Sequence, residues 1–168
     1  TLVEKLAGSF NIGAGFSQTQ GLLFNVGLTQ ENLFGTGKRL SVNVNTDRAN
    51  TIYSAAFTNP YYTLDGISRT LSVSFRDRDS SEELINNFQT NSGDVNVSYG
   101  VPLSEFNTLS LGYGYSHITI TPSTVNASAD VLLFILQNDG KTAYNNLTLN
   151  TSFSHDTRNR TEFANAGS

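Results

Sequence analysis

Cysteine, methionine and tryptophan are absent from these 168 residues. Without cysteine there is no disulfide scaffold, no thiolate metal site and no cysteine nucleophile. Charge is scarce as well. Asp, Glu, Lys and Arg make up 14% of the chain, against roughly a quarter in an ordinary soluble domain. The balance is acidic, a net −4 with a pI of about 5.0, and that argues against a nucleic-acid partner, whose binding surface is basic. Long apolar runs are missing too. The longest, Val131 to Leu136, is far short of the ~18 residues a spanning helix needs. No basic segment leads into an apolar one at the start, so no signal peptide is read there. Thr1 in place of Met points to a processed or excised chain.

What fills the gap is Ser, Thr, Asn and Gly, with 14 glycines, 11 Phe and 7 Tyr. Mean hydropathy is −0.24. The length alone suggests one compact unit, and the composition leaves a secreted β protein, an outer-membrane barrel or a low-complexity segment. Patterning excludes the last. Phe10, Ile12, Ala14 and Phe16 alternate with small or polar residues, and so do Leu22 to Leu28, Leu40 to Val44, Tyr53 to Phe57, Leu71 to Phe75, Val95 to Val101, Leu109 to Tyr115, and Leu147 to Phe153. A period of two is the strand signal. It predicts eight strands, hence four consecutive hairpins.

The two faces are unequal. One carries Leu, Val, Ile, Phe and Tyr. The other carries Gly, Ser, Asn, Thr and most of the charge. A soluble sandwich usually has Lys and Glu on its outer face. Small uncharged polar groups suit a wet, enclosed lumen instead, and the apolar face then meets lipid. This is the pattern of an all-β, antiparallel, up-and-down transmembrane barrel. Closure or protection of every strand edge satisfies the backbone groups that hydrocarbon leaves stranded.

The connections divide into two sets. Asn32 to Gly37, Asn59 to Gly66 and Pro102 to Asn107 are short and rich in turn formers. Ser17 to Gly21, Thr46 to Asn50, Asp77 to Ser92 and Thr121 to Ala143 form the other set, the last two long and polar. Short turns on one rim and longer loops on the other match periplasmic and extracellular ends. Phe34, Tyr61, Tyr62, Phe106 and Phe163 fit an interfacial girdle, with plain turn packing as the alternative. Ala129 to Gln137 reads as a short helix stopped near Asn138-Asp139-Gly140, with an apolar strand extension as the alternative.

Little here points to chemistry. His117 and His155 are far apart in sequence and suit structural or solvated roles. His155 and Asp156, as neighbours on a strand, point to opposite faces, so they make no dyad unless the strand has ended. Gly13-Ala14-Gly15 and Gly112-Tyr113-Gly114 lie inside strands, not at the strand-to-helix turn of a phosphate loop. Asp77, Asp79, Glu82 and Glu83 form an acidic loop, read as a solvated face more readily than as a divalent-ion site. No nucleophile has a base beside it. No catalytic residue, metal or cofactor is expected. The sharpest functional feature is the strand Phe10 to Phe16. In a partial barrel it is an edge that can template another strand, and its glycines weaken pairing. In a self-contained eight-strand barrel it closes against the eighth.

These residues resemble the BamA family of outer-membrane barrel-assembly proteins. The resemblance is carried by Gly8-Ser9-Phe10-Asn11-Ile12-Gly13-Ala14-Gly15-Phe16, by Asn32-Leu33-Phe34-Gly35-Thr36-Gly37, and by Asn59-Pro60-Tyr61-Tyr62-Thr63-Leu64-Asp65-Gly66. Pro102 to Leu109 is similar to a further turn of that family. The resemblance implies a sixteen-strand barrel of which residues 1–168 are strands one to eight. Residues 1–6 would be the tail of the last periplasmic POTRA domain, and Ala166-Gly167-Ser168 the turn after strand eight. It implies non-enzymatic folding and insertion of client β-barrel proteins in the outer membrane of a Gram-negative bacterium. Ser9, Phe10, Asn11, Ile12, Gly13, Ala14, Gly15 and Phe16 would form the lateral-gate strand. Phe34, Gly35, Gly37, Asn59, Pro60, Tyr61, Asp65 and Gly66 would sit in periplasmic turns. The implied partners are membrane lipid, client barrels and, through the POTRA domains, periplasmic lipoprotein subunits.

Overall fold

The structure is a computed structural model describing residues 8–18, 20–79, 88–122 and 129–157. It contains β1 (Gly8–Ser17), β2 (Gly21–Gln30), β3 (Arg39–Thr46), β4 (Asn50–Asn59), β5 (Ser68–Asp79), β6 (Phe88–Pro102), β7 (Asn107–Pro122), α1 (Ala129–Gln137) and β8 (Ala143–His155). The eight strands form one sheet in sequence order, each antiparallel to the next. The helix occupies the residues the sequence assigned to it. Its end is closed by Gly140 N–H donating to the Ile135 carbonyl at 2.8 Å, with Asp139 and Gly140 both at positive φ, a glycine-assisted C-cap.

Register explains why the sheet has two characters. One row reads Phe10, Leu28, Val42, Ala55, Val73, Val95, Tyr115 and Leu147 across all eight strands. The row one residue along reads Asn11, Gly27, Asn43, Ser54, Ser74, Asp94, Ser116 and Asn146. Side chains have a strand period of two, so a slip of one residue anywhere would throw apolar groups into the polar rows.

The apolar face packs on no second layer. Ala49, at 5% exposure, is the buried apolar residue among those described, whereas Phe10 stays 64% and Leu147 88% exposed. A water-soluble chain does not leave so broad an apolar surface bare. Among the described residues no helix is long and apolar enough to cross a membrane, and the strands are the spanning elements: this is part of an antiparallel transmembrane barrel. β1 and β8 are the outer strands of the sheet, and no ladder joins them. The self-closed eight-strand alternative is not what forms.

Two loops are shorter than the sequence suggested. β5 runs on to Asp79 and β6 starts at Phe88, so both arms of the expected Asp77–Ser92 loop are strand. Likewise β7 continues to Pro122. Alternation fades there because both faces of the ladder have left the apolar band, yet the backbone bonds continue: Asp77 pairs with Asn91 and Asp79 with Gln89. The proposed POTRA tail, Glu82, Glu83, Phe163 and Ala166 to Ser168 lie outside the described residues.

The turns on the first rim are held by their own polar side chains. In the first, Asn32 Oδ1 accepts from Gly37 N–H at 2.6 Å, and Leu33 N–H reaches the Lys38 carbonyl at 2.7 Å. Asn32, Phe34, Gly35 and Gly37 all take positive φ. In the second, Tyr61 N–H donates to Asn59 Oδ1 at 3.2 Å, Tyr62 N–H to the Ile67 carbonyl at 2.8 Å and Gly66 N–H to the Thr63 carbonyl at 3.2 Å. Gly66 sits at φ 81. A Gly66→Ala change puts a Cβ on a left-handed residue and is expected to cost about 1–2 kcal/mol, read as a lowered unfolding midpoint of the full-length protein. Gly93→Ala, where an added Cβ meets nothing within 4 Å, serves as the neutral comparison.

Candidate functional site

The sheet brings the predicted edge residues together in one way and separates them in another. Ser9 to Phe16 all lie on β1 and pair in register with Thr29 to Leu22 of β2. Phe10, Ile12, Ala14 and Phe16 share the apolar face, while Ser9, Asn11, Gly13 and Gly15 share the polar one. β1 is exposed along nearly its whole length, and its second edge carries no strand among the described residues. The N–H and C=O groups of that edge are what another strand would read.

Polar side chains tie this edge to the sheet. Asn11 Nδ2 donates to Asn25 Oδ1 at 3.3 Å, and the Asn25 amide donates in turn to Asn45 Oδ1. Gly27 lies beneath this ladder. A Cβ added there would overlap Asn11 Oδ1 and lie 2.8 Å from Asn43 Oδ1, so the absent side chain is what admits the two asparagines. Beside Gly13 and Gly15 there is room: the nearest atoms to an added Cβ are 3.8 and 3.7 Å away. Those two glycines therefore loosen the edge without any packing requirement, through lost β propensity. The asparagine ladder was not anticipated from sequence, though its signal, an Asn in phase on three successive strands, was there.

The predicted turn residues sit on one rim, apart from the edge strand's centre. Phe34 is 93% exposed and Tyr61 79%, so neither is packed in its turn. Tyr62 behaves differently. Its ring lies 6.0 Å from that of Tyr99, and the Arg69 guanidinium stacks over it at 4.0 Å. Sequence reading passed over Arg69. Extending the phase of Leu71, Val73 and Phe75 by two residues would have found it on the apolar face.

The histidines are accounted for by neighbours. His117 Nδ1 lies 2.6 Å from Asn145 Oδ1, which also accepts from the Tyr115 hydroxyl at 2.8 Å. β8 does end at His155, which lifts the geometric bar against a pair with Asp156, yet His155 Nδ1 bonds Asn107 Oδ1 at 2.7 Å. Asp77 accepts from Gln89 Nε2 at 2.9 Å. Among the described residues no three His, Asp or Glu side chains gather as a metal site.

Outer membrane protein assembly factor BamA of Neisseria meningitidis serogroup B is 30% identical over 145 residues, 84% of this chain and 18% of its own length. The protein of the same name from Buchnera aphidicola is 25% identical over 117 residues, 70% of this chain and 19% of its own length. The chain thus spans about a fifth of the curated relatives it matches. The crystal structure of BamA from Haemophilus ducreyi lacking POTRA domains 1-3 superposes with a TM-score of 0.70 at 26% identity, covering 98% of this chain and 32% of that one. The Omp85 superfamily domain matches residues 32–168, from the first tight turn through β8 and beyond, and the chain accordingly belongs to the Omp85 superfamily.

Proposed function

We propose that this chain is the first half of the barrel of an outer-membrane assembly factor, and that β1 is its substrate-pairing edge. The chain resides in the outer membrane of a Gram-negative bacterium. The observation that carries the reading is the open ladder of β1: ten residues whose far edge lacks a strand partner among the described residues. In hydrocarbon each unpaired backbone group costs several kcal/mol, so this edge is stable when another strand lies against it. Further strands of the same barrel supply that partner at rest. An incoming client strand supplies it during insertion, by β-augmentation.

The work is non-enzymatic. A strand pairing on β1 gains main-chain hydrogen bonds and lipid-facing burial in one step, so the template lowers the cost of ordering the client in the membrane. The short-turn rim faces the periplasm in this reading, where POTRA domains and lipoprotein subunits would deliver clients.

A cysteine lock tests the reading. Residues 1–168 contain no cysteine, so in a full-length protein freed of any other cysteine an Asn11→Cys change can be bridged selectively to a cysteine placed opposite it on the last strand of the barrel. Oxidation is expected to abolish insertion of client barrels into vesicles, and reduction to restore it. Undiminished insertion by the oxidised protein would eliminate β1 as the pairing edge.

A further inference from the structure

Charge is rare on the apolar face, so a charged residue there requires a reason. Arg69 is Cα partner to Asn59 on one side and Tyr99 on the other, in phase with Leu71, Val73 and Phe75. It marks the end of the apolar band at the short-turn rim. Its guanidinium face is taken by the Tyr62 ring, 4.0 Å to the centroid. Tyr99, 6.0 Å from Tyr62, extends the aromatic wall. Stacking uses the flat of a guanidinium and leaves its N–H donors free around the edge. Arg69 makes no ion pair among the described residues. The side-chain oxygen of its partner Asn59 accepts from Tyr61 N–H at 3.2 Å.

The band above this arginine contains a shallow apolar depression of about 260 Å³ lined by Val42, Val44, Tyr53, Ala55, Val73 and Phe75. Ala55 provides the room, as the small residue in a row of larger ones. From Arg69 to Val73 is four strand residues, roughly 13 Å along β5, a distance that the first part of an extended acyl chain covers. A cation fixed at the band's edge and an apolar depression above it on the same strand match the two ends of one lipid molecule.

We propose that Arg69, Tyr62 and Tyr99 form a phospholipid site: the phosphodiester anion bonds the guanidinium edge, and an acyl chain runs over Leu71 into the depression at Ala55. The proposal rests on the membrane placement above. Its use follows from position. Phosphate is held by a charge-assisted, two-pronged contact, while the stack on Tyr62 fixes the direction in which the donors point. β5 is thereby pinned at a set depth in the bilayer, and the turn that carries Tyr62 is pinned with it.

The test uses the full-length protein in detergent with added phosphatidylglycerol, bound lipid being counted by native mass spectrometry. The folded state is confirmed by its resistance to heat on gels. Arg69→Gln, which removes the charge and both of its bonds, is expected to lower phosphatidylglycerol occupancy at least about tenfold. Arg69→Lys, which keeps charge but loses the planar stack, should fall in between and stands in if Arg69→Gln does not fold. Ala55→Leu should weaken retention by filling the depression. Millimolar inorganic phosphate is expected not to displace the lipid. Wild-type occupancy in the folded Arg69 variants would overturn the proposal, and so would displacement by phosphate, which would make the site one for the free anion. Failure of the wild type to insert into vesicles would instead overturn the membrane placement, separately from either result.

Discussion

Val73→Arg should destabilise the membrane-embedded protein by about 2–4 kcal/mol, the cost of a lipid-facing arginine near mid-bilayer. Val73 is half exposed on the apolar face. It is central in the band, with Ala55 and Val95 as its Cα partners, and both neighbours are too apolar to receive a guanidinium. The arginine must either carry water inward or bend toward the nearer rim. Ser74, one residue on, faces the other way. Its hydroxyl donates to Asp94 Oδ2 at 3.3 Å, so Ser74→Arg places the new charge beside a carboxylate on the wet side. That variant should change stability by less than about 1 kcal/mol. Denaturant unfolding of the full-length protein in phospholipid vesicles measures both. Equal costs would mean that the two faces do not divide lipid from water.

Gly114→Val is the second large effect, and it arises on the wet side. Gly114 is buried between Asn96 and Thr148. An added Cβ would overlap Asn96 Oδ1 and lie 2.9 Å from Asn96 Cγ and 3.2 Å from the Val95 carbonyl oxygen. The asparagine end can swing away, but the carbonyl is part of the ladder. Overpacking of this kind costs about 1–3 kcal/mol. Asn96→Ala in the same chain should recover part of the loss, leaving the share due to the backbone, and a double-mutant cycle separates the two. Gly13→Val is the contrast. Space is open there, and the β-branched side chain should be neutral or stabilising by up to about 1 kcal/mol. If Gly13→Val costs as much as Gly114→Val, the distinction between packing glycines and loosening glycines fails.

Alternation made most of this architecture legible. Eight stretches with a period of two became eight strands, and the division into an apolar and a polar face followed from the same pattern. The helix was legible because Val131 to Leu136 breaks the period and Gly140 supplies a stop. What stayed hidden had physical causes. The upper ends of β5, β6 and β7 lie outside the apolar band, where water wets both faces and side chains carry no periodic signal. Arg69 was hidden for the opposite reason, since an isolated charge interrupts a pattern and is read as its end. The Asn11–Asn25–Asn45 ladder depends on cross-strand register, which exists only once the strands are paired. For β1, a place at the edge of the sheet was expected from the sequence of a partial barrel, but the asparagine tether on its polar side was not.

The far rim is stitched crosswise. Arg48 N–H donates to the Gln20 carbonyl at 3.1 Å, joining the β1–β2 turn to the β3–β4 turn, and Asp79 N–H donates to the Ala49 carbonyl at 2.8 Å, joining that turn to β5. Asp47 Oδ1 holds the middle turn rigid by accepting from Ala49 and Asn50 N–H, both at 2.8 Å. Among the described residues, the upper end of β1 is therefore coupled through two turns to the fifth strand, while Gly8 and Ser9 at its lower end pair with β2 alone. Peeling of the edge then has a direction. It is expected to begin at the lower end and run upward toward the tied turn.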